Sequence, residues 1–184
     1  MNDQATPLLQ PTPPAGDEQR VATVFAGVES HLGFVPDALK LYSISPDLLE
    51  SFVGGVGYFI GQQRLSQELL AMIRYLTSER AGCRFCIDLN EGFLANLGVE
   101  LDQARAARED LEQAPLPARE LPLLRLALKA VTQPEEVGSA DLEAARNEGW
   151  SDRDIFDSVL AAASNRALNL VLKSFKVEQQ GVFG

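Results

Sequence analysis

The most informative stretch of the chain is residues 65–86, which read LSQELLAMIRYLTSERAGCRFC. Its apolar residues recur at helical spacing and so share one face, namely Leu69, Leu70, Met72, Ile73 and Leu76. Ser66 is a favourable N-cap, and Gly82 is a favourable residue for ending a helix. The stretch therefore predicts a helix that ends directly before a pair of cysteines.

The two cysteines begin a second helical pattern. After Gly82, one stripe at spacings of three and four contains Cys83, Cys86, Asn90, Leu94 and Leu97, and Gly98 ends the run. Residues on one helical stripe project from the same side. We therefore expect both sulfurs to face the same way at the start of this helix.

The rest of the chain is predicted to be helical as well. Apolar periodicity indicates helices from Glu18 to Gly33 and over residues 47–60, 102–112, 118–132, 140–147 and 151 to about 177, the last with a candidate break at Ser164-Asn165. No stretch alternates apolar and polar residues long enough to indicate a sheet. The fold class is therefore all-α, with one domain over residues 18–184. Residues 1–17 contain four prolines and few large apolar groups, which predicts a flexible N-terminal arm without a catalytic role.

Composition excludes several functions. The 184 residues contain 16 Lys and Arg against 26 Asp and Glu, so the net charge is −10, which argues against a nucleic-acid partner. No uncharged stretch approaches the roughly 18 apolar residues of a membrane span. No Lys or Arg precedes Arg20, so the positive region of a secretory signal is missing. We expect a cytoplasmic protein with no membrane partner.

The motif Cys83-Arg84-Phe85-Cys86 is the strongest chemical signal. Two cysteines three residues apart at a helix start can close a disulfide and open it again, and we expect this helix end to be exposed to solvent. Unpaired amides at the helix end and the charge of Arg84 favour the thiolate, so one pKa should fall below the ~8.5 of a free cysteine. The structural alternative is that both cysteines pack in the core as small hydrophobic residues.

Other uses of this motif fit the sequence less well. In a thioredoxin fold the motif follows a strand, whereas here a helical pattern precedes Cys83. Structural zinc usually takes four Cys or His ligands, but the chain contains two cysteines and only His31 as a histidine. No flavin or haem motif is present. We therefore predict no bound metal and no cofactor.

Together, these residues resemble the alkylhydroperoxidase D-like, or carboxymuconolactone decarboxylase, superfamily and in particular its peroxidase-related branch. The resemblance rests on residues 65–86, on LGFVPD at residues 32–37 with SPDLL at 45–49, and on GWSD at 149–152 with Ile155 and Asn169. It covers residues 18 to about 177. It implies a helical subunit that forms a homo-oligomer, a trimer or a hexamer that is in some cases built from dimers.

The resemblance also implies a reaction. Cysteine pairs of this family reduce a small hydroperoxide and are restored by an external dithiol, and members that decarboxylate lactones generally lack the pair. The expected function is a thiol-dependent peroxidase or disulfide reductase. The family implies that Cys86 attacks and Cys83 resolves, whereas the helix-end argument favours Cys83 as the more acidic thiol. Both assignments stay open from sequence alone.

The family's proton relay is absent from this chain. Its usual glutamate, twelve residues before the first cysteine, corresponds to Ala71, and its usual histidine, four residues after the second, corresponds to Asn90. A histidine sometimes found between the cysteines corresponds to Phe85. Asn90 can still hydrogen-bond Cys86 from one turn away, but an amide does not titrate near pH 7. The function left open is a redox-sensing or structural oligomer that has lost peroxidase turnover.

Glu79 is the first candidate to replace the relay, because it lies one turn before Cys83. Glu68 and Asp88 are weaker candidates, and a solvated carboxylate is the structural alternative for all three. His31 ends the first helix, which favours a capping or surface role. Trp150 is expected to pack at the entry to the last helix. Five residues near the end of the last predicted helix are expected in a subunit contact, the floor of the thiol pocket or the core: Leu168, Asn169, Leu170, Val171 and Phe175.

Overall fold

A computed structural model describes residues 7–177 and over that range contains α-helices and no β-strand, which confirms the predicted all-α class. In chain order the helices are α1 Glu18–Leu32, α2 Asp37–Tyr42, α3 Pro46–Gly61, α4 Gln67–Ala81, α5 Arg84–Asn96, α6 Leu101–Ala106, α7 Leu121–Thr132, α8 Ser139–Asn147 and α9 Asp152–Ser174. None of the helices in this range combines the length and the apolar character needed to cross a membrane.

The predicted helix boundaries around the cysteines are confirmed. The Ser66 hydroxyl accepts a hydrogen bond from the Leu69 N–H at 3.0 Å and so caps α4. Gly82 ends α4 in the left-handed conformation, with φ of 60°, a value that other residues adopt at a cost. Gly33 ends α1 in the same way. These caps fix where the chain turns toward Cys83.

Three of the helix predictions differ from the structure. Sequence periodicity missed α2, which has only six residues and too few turns for a periodic signal. The predicted helix over residues 102–112 is wrong in length, because α6 ends at Ala106 and Asp110 caps a separate 3-10 turn over Leu111–Gln113. The predicted helix over residues 118–132 begins as the 3-10 turn Ala118–Glu120 before α7.

The long last helix is continuous, so the predicted break at Ser164-Asn165 is wrong. Asn165 is buried, and its side-chain amide donates to the Arg74 carbonyl of α4 at 3.1 Å and to the Ser78 hydroxyl at 2.9 Å. An asparagine usually weakens a helix by competing for its backbone. Here the amide is engaged with another helix, so α9 continues through it.

Helix α4 lies at the centre of the molecule and packs against α5, α7 and α9. All five residues of its predicted apolar face are buried, and so is Ala71. Trp150 is buried at the margin of the same core, where its indole N–H donates to the Arg119 carbonyl at 2.6 Å. The core therefore holds rigid the end of α4 from which the cysteines follow.

The two ends of the chain lie partly outside the described residues. Residues 1–6 of the predicted flexible arm and residues 178–184 of the predicted domain are among those not described. Residues 7–17 contain no helix, and the Leu8 N–H donates to the Phe175 carbonyl at 2.9 Å. This hydrogen bond brings part of the arm to the end of α9, close to the cysteines.

Candidate thiol site

The turn between α4 and α5 brings the two cysteines together. Cys83 is the N-cap residue of α5, and Cys86 lies in the first turn of the same helix. Their sulfur atoms are 3.0 Å apart, and both cysteines are free thiols. The prediction that both sulfurs face the same way is confirmed. A disulfide requires the sulfurs to approach by only about 1 Å more, because the S–S bond is about 2.0 Å long.

The prediction of a solvent-exposed helix end is wrong. Cys83 and Cys86 are each only 2% exposed. They lie in an apolar group, here called the thiol cluster, whose buried members are Ala38, Leu41, Ala81, Cys83, Phe85, Cys86, Leu172 and Val177. Helices α2 and α9 supply the covering side chains; α2 gave no sequence signal, whereas residues of the last helix were among those expected at the floor of the thiol pocket. Leu168, Val171 and Phe175 pack against the cluster, while Leu170 is exposed.

Amide and hydroxyl groups surround the sulfurs on the α9 side. Asn169 is completely buried, and its side chain interacts with both cysteines. Its amide also donates to the Ser78 hydroxyl at 3.3 Å and accepts from the Asn165 amide at 3.3 Å. Ser78 in turn interacts with Cys86. The network joins α4 to α9 directly behind the cysteine pair.

One cation lies against the turn that carries Cys83. The Lys173 ammonium donates to the Ala81 carbonyl at 2.7 Å, and a Cβ added at Gly82 would lie 3.7 Å from its Nζ. The sequence assigned the stabilising charge to Arg84, which is exposed, whereas the charge that lowers the pKa of Cys83 belongs to Lys173. Sequence reasoning missed Lys173, although Asn165, Asn169 and Lys173 recur every four residues in α9.

The two thiols are not equivalent. The hydrogen bond shared by the two thiols, a backbone hydrogen bond of Cys86, an interaction with Asn169 and the charge of Lys173 lower the pKa of Cys83 to about 7, against the opposing effect of burial. The same pairing of the thiols raises the pKa of Cys86, and burial raises it further. Cys83 is therefore the more acidic of the two thiols and the one that ionises first.

Glu79 is occupied by another interaction. Its carboxylate is 2.5 Å from the Arg108 guanidinium. It belongs to a group on α4, α5, α6 and the segment after α6, here called the charge cluster, which consists of Tyr75, Glu79, Glu91, Arg105 and Arg108. No described contact joins the Glu79 carboxylate to either sulfur. Its role in proton transfer stays a prediction.

Asn90 contacts Cys86 through the backbone. Asn90 is 3% exposed, and its amide donates to the Cys86 carbonyl at 2.7 Å. The predicted contact from one turn away is therefore present, but it fixes the first turn of α5 rather than the thiol. The Asn90 carbonyl oxygen accepts a hydrogen bond from the Arg74 Nε at 3.4 Å.

The weaker candidates lie apart from the sulfurs. Glu68 is in the first turn of α4, about 20 Å along the helix axis from the cysteine end. Asp88 is exposed on α5. His31 is exposed at the end of α1, with its Nδ1 3.2 Å from the Gly27 carbonyl oxygen. Within residues 7–177, no three Cys, His, Asp or Glu side chains form a group suited to a metal ion.

Similarity to known proteins is found in structure rather than in sequence. No protein-family model and no curated protein matches this chain. An uncharacterized peroxidase-related protein from Silicibacter sp. TM1040 superimposes with a TM-score of 0.86 at 22% identity, covering 100% of this chain and 96% of that one. An uncharacterized peroxidase-related protein from Ralstonia eutropha JMP134, described as an alkylhydroperoxidase AhpD core, gives 0.83 at 22% identity, covering 96% and 94%.

A third solved structure has a different stated activity. The debrominase Bmp8, without ligand, superimposes with a TM-score of 0.76 at 22% identity, covering 98% of this chain and 94% of that one. These likenesses establish that the chain has the alkylhydroperoxidase D-like helical fold, as residues 65–86 predicted. Because proteins named as peroxidase-related and a debrominase share the fold, the reaction of this chain has to be inferred from its own side chains.

Proposed function

We propose that the protein is a thiol-dependent peroxidase or disulfide reductase that cycles Cys83 and Cys86 between dithiol and disulfide. The observation that carries the proposal is the 3.0 Å separation of the two sulfurs at the start of α5. The lowered pKa of Cys83 supports it, because a thiolate is the nucleophile in both reactions. The peroxidase-related names of two structural neighbours are consistent with it.

The peroxidase cycle balances with one hydroperoxide and one external dithiol. The Cys83 thiolate attacks the terminal oxygen of the hydroperoxide, the O–O bond breaks, and the alkoxide leaves as an alcohol after taking a proton. The resulting sulfenic acid is attacked by Cys86, which forms the disulfide and releases water. The external dithiol then reduces the disulfide by two thiol exchanges and becomes oxidised itself.

Reduction of a disulfide substrate uses the same pair. The Cys83 thiolate attacks one sulfur of the substrate and expels the other as a thiolate. Cys86 then attacks Cys83, releases the second half of the substrate as a thiol and closes the intramolecular disulfide. No bound metal or cofactor enters either cycle.

We assign the attack to Cys83 and the resolving step to Cys86. The family resemblance implies the opposite order, but in that family a histidine accompanies the second cysteine, and here Asn90 occupies its place. The thiol and the backbone hydrogen bond of Cys86, with smaller contributions from Asn169 and Lys173, lower the pKa of Cys83, whereas the pKa of Cys86 is raised. The assignment therefore follows the local electrostatics of this chain.

We also infer a homo-oligomer, a trimer or a hexamer. Helix α3 is strongly apolar, yet only Pro46 and Leu49 within it are buried. Large apolar side chains are exposed on α3 and α9, namely Leu48, Val56, Ile60, Phe156, Leu160 and Leu170. Light scattering after gel filtration measures the subunit number, and a monomer at micromolar concentration would contradict the inference.

Because the cycle needs a reducing partner, we place the protein in the cytoplasm.

The test of the function is turnover. Reduced protein should consume tert-butyl hydroperoxide in the presence of dithiothreitol, and Cys83→Ser and Cys86→Ser should both lose steady-state turnover. One equivalent of peroxide should still convert Cys86→Ser to a sulfenic acid at Cys83, which dimedone traps and mass spectrometry locates. If dimedone traps Cys86 in Cys83→Ser but does not trap Cys83 in Cys86→Ser, the two roles are reversed. Equal peroxide loss with the wild type and Cys86→Ser would contradict the peroxidase.

The second candidate, a redox-sensing or structural oligomer without turnover, is favoured by one observation. Each cysteine is only 2% exposed, which restricts access of an oxidant to the sulfurs. A sensor would form the Cys83–Cys86 disulfide once, and its subunit number or thermal stability would change on oxidation. Turnover of less than one peroxide per chain together with such a change would select this candidate.

A further inference from the structure

Arg74 is a half-buried cation in the middle of α4, the helix that leads to the cysteines. Its Nε donates to the Asn90 side-chain oxygen at 3.4 Å. Within the described part of the chain, no carboxylate lies within ion-pair distance of its guanidinium, and no acceptor is present for its two terminal nitrogens. Arg108, on the other side of the same helix pair, contacts both Glu79 and Glu91.

The surroundings of Arg74 favour an anion. Burial lowers the pKa of Arg74 to about 10, whereas a neighbouring carboxylate would raise it. The group is still cationic at neutral pH. The terminal nitrogens of Arg74 are not fully buried, so an anion from solution can approach them. The planar fork of a guanidinium donates two parallel hydrogen bonds to the two oxygens of a carboxylate.

Two neighbours add to this polar site. Asn90 is held in one orientation because its amide donates to the Cys86 carbonyl, so its oxygen fixes the Nε edge of Arg74 and leaves the terminal nitrogens free. Thr77 lies one turn along α4 from Arg74, and its hydroxyl is buried without a hydrogen-bond partner. Residues three apart on a helix are neighbours on its surface. The unmatched donors of Arg74 and Thr77 therefore occur on one face of α4.

The same face leads to the sulfurs. Ser78, which interacts with Cys86, lies one helical turn beyond Arg74, or about 5.4 Å along the axis. Asn90 connects the guanidinium to the backbone of Cys86 by two hydrogen bonds. A carboxylate bound at Arg74 therefore lies beside Asn90 and on the face of α4 that also carries Ser78.

We propose that Arg74, positioned by Asn90, binds the carboxylate of the substrate, so that the preferred substrate is a hydroperoxide or disulfide that carries a carboxylate group. The substrate class rests on the proposed function, but the carboxylate subsite itself does not. The same carboxylate chemistry has a second source, an Asp or Glu of a second copy of this chain. In that case the subsite is an intersubunit ion pair and is closed to small acids.

Calorimetry with benzoate and its neutral isostere benzamide tests the subsite without turnover. The reduced wild type should bind benzoate at least tenfold more tightly than benzamide, and Arg74→Met should lose that preference. Arg74→Gln keeps a hydrogen-bond donor for Asn90 and should also lose the preference for benzoate. This second variant serves if Arg74→Met does not fold. The exposed Arg84→Met, matched in chemistry and close to the thiols, should keep the preference.

Two results would overturn the proposal. One is equal binding of benzoate and benzamide by the wild type, or a preference that survives both Arg74 variants. The other is the combination of two findings: the wild type does not bind benzoate, and the Arg74→Gln oligomer dissociates. That combination would assign the carboxylate to an Asp or Glu of a second copy of the chain. Linoleic acid hydroperoxide and its methyl ester then test the substrate class, with the acid expected to have the higher kcat/KM. A wild type that consumes neither peroxide would contradict the proposed function. That result is separate from the benzoate measurement, which tests the carboxylate subsite.

Discussion

Two polar regions on the α4–α5 helix pair differ in how their charges are arranged. In the charge cluster, Glu79 and Glu91 are matched by Arg105 and Arg108, and the Tyr75 hydroxyl completes the network. Around the thiol cluster, the polar groups are the amides of Asn165 and Asn169, the Ser78 hydroxyl and the ammonium of Lys173. The carboxylates of the charge cluster therefore stabilise the helix pair, whereas neutral donors and the ammonium of Lys173 act on the sulfurs.

The difference has a chemical consequence. A carboxylate beside the sulfurs would raise the thiol pKa and oppose thiolate formation, while amide donors and an ammonium lower it. Within residues 7–177, Glu79 and Glu91 thus pair with arginines rather than with the reactive sulfur. A substitution in one region can therefore be compared with a substitution in the other region or at a matched surface site.

The largest effect is expected from Asn169→Ala in the thiol cluster. Asn169 is fully buried and bonded to Asn165 and Ser78, so its removal leaves buried polar groups without partners. We expect the free energy of unfolding to fall by about 2 to 3 kcal/mol. Urea denaturation followed by circular dichroism measures the change. The exposed Asn147→Ala is the control and should change stability by no more than about 0.5 kcal/mol; a similar loss in both variants would contradict the network.

A smaller effect is expected from Lys173→Met. Removal of the positive charge should raise the pKa of Cys83 by about one unit, which reduces the thiolate about tenfold at pH 6. The rate of peroxide reaction should fall by the same factor at pH 6 and should equal that of the wild type near pH 9, where the thiol is ionised in both. The absorbance of the thiolate at 240 nm against pH gives the pKa directly.

Lys173→Arg is the matched control for that experiment, since it keeps the charge at the end of α9. It should retain most of the lowering of the Cys83 pKa. If Lys173→Met leaves the titration midpoint where it is in the wild type, another group stabilises the thiolate and the role given to Lys173 is wrong.

The smallest effect is expected from Glu79→Gln in the charge cluster. Because the Glu79 carboxylate is paired with Arg108 and both side chains are partly exposed, its loss should cost about 0.5 to 1 kcal/mol of stability. The peroxide rate should change by less than about twofold. A much larger fall in rate, with Arg108→Met leaving the rate intact, would restore Glu79 as the proton donor that the sequence suggested.

The fold was predictable because local signals agreed along the chain. The Ser66 cap, the apolar face of α4 and the glycine at residue 82 each specify the same helix, and each is visible within a few residues. The register of Cys83, Cys86 and Asn90 on α5 followed from spacing alone. These features are determined by short-range geometry, which a sequence displays directly.

The surroundings of the thiols were less predictable because they come from distant parts of the chain. The burial of both cysteines depends on α2 and on Leu172 and Val177, far away in sequence. The ammonium that acts on Cys83 is 90 residues downstream at Lys173, so the adjacent Arg84 was the natural but incorrect choice. Arg74 gave no signal at all, because the lack of an ion pair for it among residues 7–177 is visible only after the chain has folded.

The central claim is that Cys83 and Cys86 form one redox pair in which Cys83 supplies the thiolate. The most direct test mixes fully reduced protein with one equivalent of tert-butyl hydroperoxide between pH 5 and pH 9, follows the rate, and counts the remaining thiols. The account predicts the loss of two thiols per chain with a Cys83–Cys86 disulfide as the product, at a rate that rises with a midpoint near pH 7, the pKa of Cys83. Thiols that persist at every pH, or a midpoint near the ~8.5 of an ordinary cysteine, would contradict it.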